Sequence, residues 1–164
     1  MTGKIDPHTE FRIANHRVYW GVLLTVLGFM GLYLTSLYSY LLFHGLVEIF
    51  SIVIGCGIFL VAWNVREFLR NNYLLFIGVA YLFVSGIDLI HMLAYKGMGV
   101  FPGFDADLPT QLWIAARYMQ SVSLLIAPLF IERKLSAHVI FAVFSGAFSL
   151  LLISIFYRGV FPAC

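Results

Sequence analysis

The chain has 164 residues, 62% of them hydrophobic and only 11% charged, with a mean hydropathy of +0.94. Soluble domains carry about 25% charged residues, so this composition excludes a soluble globular domain, a disordered tail and a disulfide scaffold. The net charge of +2 comes without a basic run or patch, which excludes a nucleic-acid partner.

Residues 1–17 are polar, include His8 and His16, and lack a small-residue cleavage site. They read as a retained cytoplasmic arm rather than a signal peptide, with residues 18–164 as the transmembrane domain. Five apolar blocks follow, at Val18–Phe43, Gly45–Val65, Tyr73–Tyr95, Gln111–Phe130 and Ala137–Tyr157. Each is near the ~20 residues that cross a bilayer as helix. The blocks are continuous rather than alternating, so helices are expected and not barrel strands. The fold class is therefore all-α: an integral membrane bundle of about five transmembrane helices. Cys56 lies inside the second block as a small packing residue, and Cys164 is the last residue. Gly28 with Gly31, and Gly55 with Gly57, are expected to let helices approach closely.

His44 and its neighbours form the first connection. The third connection, residues 96–110, is the only one long enough for structure of its own. Gly97, Gly99, Pro102 and Gly103 mark its turns, and Pro109 with Thr110 is a helix start signal.

Lysine and arginine collect on the cytoplasmic side of a membrane. A cytoplasmic N-terminus places Lys4, Arg12, Arg17, Arg66, Arg70, Arg133 and Lys134 inside. Only Lys96 and Arg158 then fall outside, with Asp105 and Asp107 in the same outer loop, while Arg117 lies within a span.

Ionisable groups inside spans are costly and usually face the bundle interior. His44 and Glu48 are four residues apart on the second helix, Asp88 and His91 three apart on the third, and Trp113 and Arg117 four apart on the fourth. Each pair shares a helix face. At 1.5 Å per residue, Glu48 and His91 lie ~6 Å, and Asp88 and Arg117 ~10 Å, from the outer ends of their helices. One layer in the outer third of the membrane thus holds all six. Two readings stay open: a ligand-, proton- or metal-responsive site, or a purely structural network. Trp113 also fits the aromatic belt, with Tyr19, Trp20, Tyr38, Tyr40 and Tyr157. No phosphate loop, nucleophile elbow, HExxH or CxxC is present, so no enzyme activity is expected of this chain.

The runs FHGLVEIFSIVIGCGIFLVAWN, NNYLLFIGVAYLFVSGIDLIHMLAYKGMGVF and PTQLWIAARYMQS carry HxxxE, DLxHxLAYKGM and LWxxARY in order. Over about Phe43 to Pro128, and more loosely into the late FP, this resembles the third family of bacterial membrane-associated sensor domains. The motif positions match at His44, Glu48, Asp88, His91, Trp113 and Arg117. The resemblance implies a multi-pass sensory input domain in the bacterial cytoplasmic membrane, a homodimer when complete. Its full-length relatives attach histidine kinase, diguanylate cyclase or phosphodiesterase units, which implies two-component or cyclic di-GMP signalling. It does not specify the stimulus.

The expected function is perception of a signal at the outer side of the membrane. An alternative is a small electron-transfer protein in which His44 and His91 ligate a b-type haem. A transition metal on His44, Glu48 and His91, with Asp88 in reserve, is a third possibility. A transport role is disfavoured, since transport sites lie near the midplane between broken helices. Five spans from a cytoplasmic start end outside, so the chain is expected to precede a further span and an output domain.

Overall fold

The computed structural model describes residues 7–68, 72–104, 106–133 and 136–157, and of residues 7–15 the backbone alone. Lys4, Arg70, Asp105, Lys134, Arg158 and Cys164 lie outside the described residues, as do the side chains of His8 and Arg12. The chain is 85% helical, with no strand among the described residues. Five helices are long and apolar enough to cross a membrane: α1 Pro7–Tyr38, α2 Tyr40–Val65, α3 Tyr73–Ala94, α4 Asp107–Ile126 and α5 Ala137–Phe156. A 3-10 turn, Ala127–Phe130, extends α4.

Three boundaries differ from those expected, the first being the start of α1, which lies at Pro7 within the expected arm rather than at Val18. The break between α1 and α2 falls at Ser39, not near His44, because the Ser39 hydroxyl accepts the Leu42 amide at 3.3 Å and caps the new helix. His44 therefore lies inside α2. The fourth helix starts at Asp107, with Pro109 in its first turn, where a missing amide costs nothing. Asp107 also suits the positive end of the helix dipole.

The chain forms two compact units, residues 1–44 and 45–164. In the first, α1 exposes its apolar side chains almost throughout. Its hydroxyls fold back on the helix: Thr25 donates to the Gly21 carbonyl at 2.8 Å and Thr35 to the Leu32 carbonyl at 2.7 Å. No donor is then left facing hydrocarbon at those two positions.

In the second unit α3 is the central helix, with half of its span buried. Val79 and Ile87 on α3 and Leu112 and Ala116 on α4 are fully buried. Ala80, Ala115 and Ala116 keep the α3–α4 interface thin. Against α5 the packing is aromatic: Phe83 lies 5.2 Å from Phe141 and 5.6 Å from Phe148, ring centre to ring centre. An apolar cavity of about 480 Å³ remains between α3, α4 and α5, lined by Phe76, Met119, Ile140 and Phe144.

The portion of α2 in this unit meets α3 at two glycines. A Cβ on Gly55 would strike the Ser85 hydroxyl, and one on Gly78 would come within 2.5 Å of the Ala62 Cβ. Gly57, Gly28 and Gly31 face no such neighbour among the described residues. From Gly55 to Ala62 is seven residues along α2, and from Ser85 back to Gly78 is seven along α3. The helices are therefore antiparallel, in a register that sets Glu48 opposite the His91–Met92 turn.

Candidate functional site

Glu48, Asp88, His91 and Arg117 gather at the end of the second unit that carries the α3–α4 loop. Gly97, Gly99 and Gly103 adopt positive φ in that loop, which lets it turn tightly and bring α4 back beside α3.

Asp88 is 4% exposed, and its Oδ2 accepts the Arg117 Nη2 at 2.5 Å. The other guanidinium arm, Nη1, donates to Gln120 Oε1 at 2.7 Å. Gln120 Nε2 in turn donates to the Tyr81 hydroxyl at 3.1 Å. Tyr81 and Asp88 are two turns apart on one face of α3, and Arg117 and Gln120 one turn apart on α4. The result is a polar ladder with two rungs between α3 and α4. Two of its buried atoms, Asp88 Oδ1 and Arg117 Nε, have no hydrogen-bond partner among the described residues.

One turn further along α3, the buried His91 makes a second pair of contacts. Its Nδ1 lies 2.7 Å from the Pro109 carbonyl. A carbonyl can only accept, so Nδ1 carries the proton. Nε2 then faces Glu48 Oε1 at 3.9 Å, beyond hydrogen-bond range. α3 thus holds α4 through both Asp88 and His91, and turns the free edge of His91 towards Glu48 on α2.

His44 stands one turn before Glu48 on α2, stacked at 6.2 Å on Tyr40. Trp113 shares its α4 face with Arg117 but is 47% exposed and takes no part in the ladder. Three participants escaped the sequence reading. Gln120 and Tyr81 are uncharged, although Gln120 does stand at the i,i+3 position from Arg117. Pro109 contributes a backbone carbonyl, for which side-chain identity gives no signal.

The motif-bearing residues sit on α2, α3 and α4 in the order HxxxE, DLxH, LWxxAR, and a family model described as a membrane-associated sensor domain, MASE3, matches residues 35–164. The chain belongs to this family. The match begins earlier than Phe43 and continues past Pro128, so it takes in α2 to α5, while most of α1 precedes it. No curated protein and no solved structure matches the chain. Membership supports a membrane sensory input role, and a sensor domain is not itself catalytic.

Proposed function

We propose that this membrane sensor domain perceives a signal at the outer side of the bacterial cytoplasmic membrane and regulates a cytoplasmic signalling output domain. The observation that carries this reading is the pairing of Asp88 with Arg117 beside the Glu48–His91 contact. Four ionisable groups couple three helices at one end of the bundle, so any ligand or proton that alters one pair alters the helix packing. His44 joins the proposal on its HxxxE spacing alone, and Trp113 as an interfacial anchor. The cytoplasmic N-terminus belongs to the same proposal and rests on the lysine and arginine bias.

The test is a chimera carrying a diguanylate cyclase as output. Asp88→Arg and Arg117→Asp should each shift cyclic di-GMP levels away from wild type, and the charge-exchanged double variant should bring them back. Unchanged output in inserted, folded single variants would remove the sensory role of this pair. Orientation is checked separately with a cysteine at Val100, which is 48% exposed, in a background lacking the native thiols. It should react with an impermeant maleimide in intact cells.

A metal-sensing version draws on one specific feature. His91 is fixed through Nδ1 by a backbone carbonyl, the second contact that usually orients metal-binding histidines. That aims Nε2 at the Glu48 carboxylate, a nitrogen-and-oxygen pair suited to zinc or another transition metal.

A further inference from the structure

A cleft of about 270 Å³ lies between α2, α3 and α4, within the second unit. Asp88, Arg117, Gln120 and Tyr81 form its polar wall, and it runs out to Val47, Phe50 and Ile54 on α2. Those three side chains are exposed, Phe50 at 68%, so the mouth is apolar. The polar wall includes the two residues whose buried atoms, Asp88 Oδ1 and Arg117 Nε, have no partner among the described residues.

Those two atoms are themselves closed off, so the accessible edge of the Asp88–Arg117 pair, where the Arg117 side chain is 36% exposed, selects the occupant. A carboxylate oxygen only accepts and a guanidinium N–H only donates. A hydroxyl does both. Charge narrows the choice again: Asp88 and Arg117 already neutralise one another at 2.5 Å. An anion would compete with Asp88 for the guanidinium, and a cation would be repelled by it, each in a medium of low dielectric. The volume is many times the ~30 Å³ share of one water, and the Val47–Phe50–Ile54 mouth favours an apolar body over a water cluster. We propose that this cleft binds a small, uncharged, membrane-soluble hydroxyl compound, its hydroxyl on Asp88 and Arg117 and its apolar part at the α2 mouth. This deepens the sensory reading and rests on it, by giving the stimulus a chemical class. Two sources share that chemistry: phenolic compounds such as quinols, and aliphatic alcohols.

The experiment uses the full chain in phosphatidylcholine nanodiscs, with empty nanodiscs as the partition control. Calorimetric titration compares 4-propylphenol with its methyl ether, which differs only in lacking the donor. The phenol should bind saturably and at least tenfold more tightly, since a site built around a hydroxyl rejects the analogue without it. Ser51→Trp places bulk at the exposed edge of the cleft while keeping both members of the Asp88–Arg117 pair. It should abolish binding while leaving the thermal midpoint unchanged. A second pair, decylubiquinol and 1-decanol, separates the sources by which one binds more tightly. Equal affinity for phenol and ether, no saturable binding above empty nanodiscs, or binding indifferent to Ser51→Trp would each overturn the proposal. Failure of the sensory reading looks different: the phenol binds, yet the cyclase chimera does not respond to it. A chimera that responds to membrane conditions while no probe binds removes the ligand class alone.

Discussion

Replacing Arg117 with alanine tests the energetics of the ladder most directly. Asp88 is 4% exposed, and the guanidinium is the partner of its Oδ2. Removing that partner leaves a buried carboxylate with neither oxygen compensated, and breaking a buried pair costs ~3–5 kcal/mol. The Arg117 side chain is 36% exposed, so screening at its outer side reduces the loss. The expectation for Arg117→Ala is therefore the lower end, ~3 kcal/mol. Adding Asp88→Asn removes the stranded charge and should recover about half of the loss. Arg117→Lys keeps the charge but gives up the fork that reaches both Asp88 and Gln120, so its cost should be nearer ~1 kcal/mol. Equilibrium unfolding in mixed micelles, followed by far-ultraviolet circular dichroism, measures all three. Arg117→Ala within ~0.5 kcal/mol of wild type, the range of an ordinary surface change, would refute the reasoning. So would a double variant whose losses simply add.

At the α2–α3 contact, Gly78→Ala should destabilise by ~1–3 kcal/mol, the usual cost of overpacking, whereas Gly57→Ala should be neutral or slightly stabilising in the same unfolding assay. Purified protein should bind zinc with an affinity that falls at least tenfold in Glu48→Gln and again in His91→Ala, as read by competition with a chromogenic chelator; equal affinity in all three proteins would end the metal version. His44→Ala should leave the unfolding free energy within ~0.5 kcal/mol of wild type but silence the cyclase chimera, and a chimera of unchanged output would remove His44 from the proposal.

Much of the fold was legible because lipid imposes a simple rule: the backbone must satisfy itself, so long apolar runs become helices. Four span ends, at Val65, Tyr73, Phe130 and Ala137, match the apolar blocks. The α1–α2 break was missed because Leu41, Leu42 and Phe43 continue the hydropathy past Ser39, where a single hydroxyl decides the boundary. That Arg117 would meet an acid was legible from depth alone, since Glu48 and Asp88 are the acids at its level, but which of the two it meets was not. The carbonyl of Pro109 was not, because it depends on where a backbone loop returns. Nor was the division of labour, in which His91 turns to Glu48 and Asp88 to Arg117, since that follows from the helix register set by Gly55 and Gly78.

The two glycine contacts also limit how this bundle can change shape. The Gly78 socket has no room for a methyl group, the Gly55 socket is closed by the Ser85 hydroxyl, and they are spaced two helical turns apart. For α2 to slide along α3 it must leave both sockets together and find new ones a full 5.4 Å turn away. Small graded sliding is thus closed to this pair, which behaves as a latched unit. The opposite side of α3 is made differently. There α4 and α5 flank about 480 Å³ of apolar space, and flat aromatic rings rather than interlocked backbones hold the α3–α5 contact. Rings can glide and the space can close, so a disturbance at Asp88 has an easier path through α4 towards α5 than back through α2.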